Sequence, residues 1–147
     1  MYKRILVATD GSALSKKAVQ SAIDLASSLD ANLTVLNVVP RYPISYYEGG
    51  MVVLIEDVAR TEKLWSDKAK NMVNAVQDTA QSKGVKAKGI VMQSNEVAES
   101  IIAAAKKHKC DLVVMASHGR KGIKRILMGS ETLHVLTHST LPVLVLR

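Results

Sequence analysis

A chain of 147 residues, 48% hydrophobic and 22% charged, is long enough to bury a core and reads as one domain, 1–147. Aromatics make up 3% with no Phe, so the core is expected to be aliphatic, and the ring platforms on which single-stranded nucleic acid stacks are missing. The formal net charge of +7 raises nucleic acid as a partner, but the basic pairs Lys16-Lys17, Lys106-Lys107, Arg120-Lys121 and Lys124-Arg125 are dispersed and form no tract, which argues against it.

The opening Lys3-Arg4 precedes only Ile5-Leu6-Val7-Ala8 before polar residues begin, too short for a secretory signal. The run Ile5 to Ala8 suits a strand buried on both faces. Thr9-Asp10-Gly11-Ser12 is a turn, with Ser12 placed to cap a helix carrying the stripe Leu14, Ala18, Ala22, Leu25, Leu29. Leu33 to Val39 is a second strand, ended by Pro40. Arg41 to Gly50, holding Tyr42, Tyr46 and Tyr47, is a loop: a lid or a surface excursion.

A long helix follows, with Leu54, Val58, Trp65, Met72, Val76 and Ala80 on one broad face and Gly84 as its stop. Lys86 to Met92 reads as an edge strand because Lys88 and Gly89 interrupt it. Ser94-Asn95 is placed to cap the next helix. Its first turn carries Glu96 and Glu99, and its end Lys106, Lys107 and Lys109, in accord with the helix dipole. Cys110, the only cysteine, excludes an internal disulfide and reads as a small semi-buried hydrophobe rather than a nucleophile. Leu112 to Ala116 is a fourth strand, Ser130 to His138 a fourth helix and Pro142 to Leu146 a last strand. Strand and helix in turn, joined by long crossovers, predict an α/β fold: a doubly wound parallel sheet with helices on both faces. No apolar stretch approaches a membrane span, and the expected location is the cytoplasm.

In such a sheet ligands bind beyond the carboxyl ends of the strands, where strand order reverses. Two segments lie there: Ala8 to Ser12 and Ala116 to Ser130. In the second, a strand runs into a glycine-bearing basic loop and then a helix start, an arrangement suited to phosphate. Arg120, Lys121, Lys124 and Arg125 either attract that anion or merely solvate the loop. Asp10 is an acceptor for a ribose hydroxyl, a ligand for a metal ion, or a carboxylate bonding its own turn. His118 sits in the loop within reach of phosphate; His108, His134 and His138 fall near helix ends, where surface or capping roles fit better. No G-x-G-x-x-G follows the first strand. Gly84 to Gly89 lacks the Lys-Ser/Thr of a P-loop and precedes a strand. No nucleophile, base and orienting group assemble from the sequence.

The opening Tyr2 to Ser12, the strand Asp111 to Met115 and the ending Ser139 to Leu146 resemble the universal stress protein family, over essentially the whole length. Its ATP-binding branch carries Gly, two residues, Gly, nine residues, then Gly-Ser or Gly-Thr. Gly119, the nine residues Arg120 to Met128, and Gly129-Ser130 match; Ala116 stands in place of the first glycine. Alanine fits there if the position needs only close approach, and is strained if it needs positive φ. The resemblance implies a five-stranded sheet of order 3-2-1-4-5. It implies ATP or AMP, with Mg²⁺ reached by Asp10 through the nucleotide. Ala8, Thr9 and Val38 border adenine, Asp10 bonds the ribose, and Met115 and Ala116 line the floor. His118, Gly119 and Arg120 begin the phosphate loop; Gly129, Ser130 and the N–H of Glu131 hold the phosphates. It further implies a homodimer through Val143, Leu144, Val145 and Leu146, and a stress-response regulator with little or no hydrolysis and regulatory protein partners. The alternative is a nucleotide-free dimeric scaffold of the same fold, which Ala116 and the acidic Glu131 favour.

Overall fold

Strands and helices alternate along the chain: β1 (Arg4–Ala8), α1 (Ala13–Leu29), β2 (Asn32–Val39), α2 (Ile55–Ser82), β3 (Ala87–Gln93), α3 (Val97–Lys107), β4 (Leu112–Ala116), α4 (Ser130–His138) and β5 (Val143–Leu146). The computed structural model describes residues 1–43, 55–119 and 128–147. The expectations for Tyr46, Tyr47, Leu54, Arg120, Lys121, Lys124 and Arg125 therefore lie outside the described residues. All five strands are parallel, in the order β3-β2-β1-β4-β5. This is the predicted doubly wound sheet, with its order reversing between β1 and β4.

Alternation within each strand divides the core. Ile5, Val7, Leu33, Val35, Leu112 and Val114 pack under α1 and α2. Leu6, Leu36, Val113 and Met115 pack against α3 and α4. Complete burial of such side chains contributes roughly 1.5–3 kcal/mol each, which is why the short run Ile5 to Val7 suffices to fix a central strand. Helix α1 buries Ala18, Val19, Ala22, Ile23 and Ala26, while Leu14, Leu25 and Leu29 are only partly buried beside them. The predicted stripe is thus offset: small residues face the sheet and the leucines flank the contact. Helix α2 buries Ala69, Val73 and Ala80, and its half-buried Trp65 stacks on Tyr42 with ring centroids 6.0 Å apart.

Gly89, the residue that made β3 look weak, is a packing requirement. A Cβ there would lie 2.8 Å from Val73 Cγ2, so the bare backbone lets α2 approach the edge strand. The Gly89 N–H also donates to Gln77 Oε1 at 2.9 Å.

Helix ends follow the sequence in two cases and depart from it in a third. Ser12 Oγ accepts the Ser15 N–H at 3.2 Å, and Gly84 takes φ +79° past the end of α2. For α3, however, Ser94 Oγ accepts from Glu96 N–H, and Asn95 Oδ1 from Arg41 N–H. Neither caps the helix. The Ala98 N–H instead donates to Glu131 Oε2 of α4 at 3.0 Å, so an acidic side chain from a distant helix meets the positive end of α3. A second contact, His134 Nε2 to Glu99 Oε1 at 3.0 Å, joins the same helices. Cys110 is buried, and burial pushes its thiol pKa up, as expected of a structural cysteine.

Two measurements test this packing. Gly89→Ala should destabilise the fold by about 1–3 kcal/mol through overpacking against Val73. Thermal melting would show a drop of roughly 2–4 °C per kcal/mol at this size; an unchanged Tm would contradict the close approach. Glu131→Ala should cost about 0.5–2 kcal/mol, the usual value of a lost helix cap. Glu131→Gln, which keeps an acceptor, should cost less than half of that in urea titration.

Candidate functional site

At the order reversal, the carboxyl ends of β1 and β4 deliver residues 9–12 and 117–119 side by side. The first turn is held from several directions. Thr9 N–H continues the ladder to Leu36 O at 2.9 Å, and the buried Asn37 side chain donates to Thr9 O at 2.8 Å. Thr9 Oγ1 meets Ser15 Oγ at 3.0 Å and accepts the Gly11 N–H at 3.2 Å. Gly11 supplies φ +79° for the sharp change of direction. Asp10 Oδ1 accepts the Ser12 N–H at 2.9 Å, so this carboxylate fills a local role in its own turn. The other oxygen is turned toward Gly119, where an added Cβ would lie 2.8 Å from Asp10 Oδ2.

The second segment closes on the same place. Ser117 N–H donates to Leu146 O, and Ser117 O accepts the Gly129 N–H, both at 2.8 Å. Thr132 Oγ1 of α4 donates to Ala116 O at 2.9 Å. These bonds seat the start of α4 against the end of β4, and a Cβ on Gly129 would come within 3.1 Å of Ser117 O. Both glycines of the spaced pair are therefore sites of close backbone approach. The N–H of Gly129 is already engaged, so the donors this end offers are the first-turn amides of α4, beginning at Ser130 and Glu131. The Glu131 carboxylate is drawn to Ala98, as described above, and so turned toward α3. His118 Nδ1 lies 2.9 Å from Ser117 Oγ.

The apolar residues named from the sequence separate by face. Ala8 and Val38 are partly buried against the α3–α4 side of the core, to which Met115 also belongs. Ala116 falls on the opposite side, in the cluster under α1, paired with Leu146 in the sheet. Among the described residues, the non-glycine positions with positive φ are Asp30 and Lys109, so Ala116 has ordinary strand geometry and carries no strain. Arg120 lies outside the described residues. No group of three or more His, Cys, Asp or Glu side chains converges among the described residues. A cation at Asp10 would thus depend on phosphate oxygens for most of its ligands.

Asn37, Ser15, Ser117 and Thr132 join the site without being expected from the sequence pattern. All four are buried polar residues, and three of them hold the two turns in place through side-chain hydrogen bonds. Asn37 had a visible signal, a lone amide within the apolar run Leu33 to Val39. The other three had none.

A family model described as "Universal stress protein family" matches residues 1–147. YxiE, a universal stress protein of Bacillus subtilis, is 34% identical over 151 residues, covering 100% of both chains. Universal stress protein MJ0531 of Methanocaldococcus jannaschii is 32% identical over 148 residues, covering 100% of this chain and 83% of the relative. Universal stress protein UspA from Lactobacillus plantarum superposes with a TM-score of 0.84 at 26% identity, covering 99% of this chain and 98% of that one. The same fold occurs in a universal stress protein in complex with cAMP (TM-score 0.69, 24% identity, 99% and 97% covered). It occurs again in one from Archaeoglobus fulgidus in complex with dAMP (TM-score 0.66, 18% identity, 99% and 98% covered). With the family model matching all of residues 1–147 and relatives 32% and 34% identical along the whole chain, the chain belongs to the universal stress protein family.

Proposed function

We propose that the chain, as one unit 1–147, binds an adenine nucleotide, ATP or AMP, in the crevice between the ends of β1 and β4 and acts as a stress-response regulator. The observation that carries this reading is the closeness of Gly119 to Asp10, where a Cβ would meet the carboxylate at 2.8 Å. A phosphate loop and a ribose acceptor must adjoin one another if one nucleotide is to touch both. In this reading Asp10 bonds a ribose hydroxyl. Ala8, Thr9, Val38 and Met115 border the base, with Ala116 supporting the floor from beneath. His118, Gly119 and Arg120 open the phosphate loop, and Gly129, Ser130 and the Glu131 N–H close it. Mg²⁺ enters with the nucleotide, near Asp10. Charge-assisted bonds from such amides contribute roughly 1.5–3 kcal/mol each, so several are needed to reach micromolar affinity, about −8 kcal/mol. The family neighbours bound to cAMP and dAMP support an adenylate ligand. Hydrolysis is at most slow, and the work is done by a change of loop order or of a partner-facing surface.

A second reading, a nucleotide-free dimeric scaffold, is favoured by β5. It is an edge strand, and Leu144 on it is 40% exposed, an apolar residue on an edge that calls for cover. Val143, Val145 and Leu146 would complete a self-paired interface, and regulatory proteins would then be bound by the dimer. The described helices include none long and apolar enough to cross a membrane; in both readings the protein acts in the cytoplasm.

Calorimetry of nucleotide-stripped protein separates the two. ATP and AMP should titrate to saturation. Gly119→Asp should weaken binding by about 100-fold or more, because it puts a second carboxylate beside Asp10. Absence of heat and of thermal shift at millimolar nucleotide would sink the first reading. Light scattering after gel filtration should give a dimer that Leu144→Glu converts to monomer; a wild-type monomer at tens of micromolar would remove the β5 interface.

A further inference from the structure

The amino-terminal ends of the strands, opposite the crevice, surround a hollow of about 500 Å³. Five of its ten lining residues are cationic, Arg4, Lys86, Lys88, Lys107 and Lys109, and none is acidic. They come from the start of β1, the approach to β3 and β3 itself, and the end of α3, so folding gathers charges that are scattered in sequence. Asp111, just before β4, accepts the Lys3 and Arg4 N–H groups at 2.9 and 3.0 Å. The carboxyl end of α3 contributes about half a negative charge, which one or two lysines would balance. Five cations exceed that need.

Two details single out this end as more than a solvated surface. Lys109 stands at φ +53°, directly after the C-cap His108, with its N–H on Lys106 O at 3.1 Å. Glycine is the residue this position favours. A lysine there sacrifices backbone comfort and sets an ammonium group at the rim. Lys88 Nζ lies 2.9 Å from His108 Nδ1, a contact that requires a neutral imidazole accepting at Nδ1. Partial burial, then the charges of Lys88 and Lys107, hold the His108 pKa below its ordinary value. Lys86, Lys109 and Arg4 line the same hollow. With His108 neutral, the ammonium of Lys88 stands with Lys107 and Lys109 in a lining that carries an excess of positive charge, which an anion would offset.

From this arrangement we infer that the hollow is a second binding site, for a compact, multiply charged phosphate: an inorganic oligophosphate or the phosphate tail of a nucleotide. Its volume falls in the range of small-molecule sites. Four of its five cations are lysines, point charges suited to phosphate oxygens, whereas a carboxylate partner would favour the forked geometry of arginine. The buried Thr34 at its floor adds a polar wall. The site is independent of the crevice and does not rest on the nucleotide reading.

Isothermal titration with sodium tripolyphosphate, ATP, AMP and sulfate at matched ionic strength tests it, on wild-type protein and on Gly119→Asp. Tripolyphosphate should saturate one site per chain in both proteins, more tightly than sulfate, with affinity falling as salt rises. The double variant Lys88→Glu/Lys107→Glu should abolish the titration while retaining its circular dichroism spectrum. Lys109→Gly provides a variant that cannot fail by unfolding: it should raise Tm and yet weaken tripolyphosphate about three- to tenfold. A residue present only to end the helix would raise Tm and leave affinity unchanged, which would overturn the inference. So would an absence of saturable heat, equal binding of sulfate, or loss of the tripolyphosphate signal in Gly119→Asp, which would put the anion in the crevice. ATP that still titrates into Gly119→Asp, and no longer does so once Lys88→Glu and Lys107→Glu are added to that variant, identifies a nucleotide tail as the source; tripolyphosphate alone identifies the inorganic chain.

Discussion

The pairing of β1 with β4 is the constraint on which the molecule depends. Ile5, Leu6 and Val7 lie beside Leu112, Val113 and Val114, and Asp111 fixes the start of the pair by accepting the Lys3 N–H across 108 positions. Closing so long a loop costs entropy, but the cost grows only with the logarithm of its length. Six buried side chains in two opposed layers offset it. Parallel strands in register also end together. The turn after β1 and the loop after β4 therefore emerge as neighbours, with no further device needed to bring Asp10 to Gly119.

The described residues around that meeting point are held by hydrogen bonds within the fold itself. Asn37 holds the Thr9 carbonyl, Thr132 holds that of Ala116, and Ser117 O takes the Gly129 N–H. Each is a buried polar group satisfied by main chain or anchoring it, the condition under which such groups rigidify rather than destabilise. A framework ordered in advance loses less entropy on association. The amides at the start of α4 belong to this rigid part, since α4 is seated on β4 by bonds from both its backbone and a side chain.

The sequence displayed the repeating elements clearly because they rest on local pattern: apolar runs for β1, β2 and β4, a polar cap at Ser12, a glycine past α2. Sheet order and the spaced glycines came with the family resemblance. The features it hid are contacts between residues far apart in the chain. Nothing near α3 announces that Glu131 will meet the Ala98 N–H, 33 positions away, and Ser94-Asn95 offered a nearer but unused cap. Gly89 looked like a flaw in a strand because Val73, the residue it accommodates, is on another element. The lysines of the basic hollow looked dispersed for the same reason: Arg4, Lys88 and Lys107 become neighbours only when the sheet is assembled.

Ala116 shows why a departure from a motif must be read in three dimensions. Counted along the chain, it replaces a glycine in a phosphate-binding pattern and weakens the match. In the sheet it is the last residue of β4, extended, paired with Leu146 and packed under α1 with its methyl group in the core. Glycine at such a position would leave that small volume unfilled and would add backbone freedom to the unfolded chain. What the position demands is a small side chain on the core face, which alanine satisfies. The positions where a methyl group would be crowded are Gly119 and Gly129, where the added Cβ would lie 2.8 Å from the Asp10 carboxylate oxygen and 3.1 Å from the Ser117 carbonyl oxygen. The pattern thus separates into one position governed by packing and two governed by close approach, and the chain keeps glycine at both of the latter.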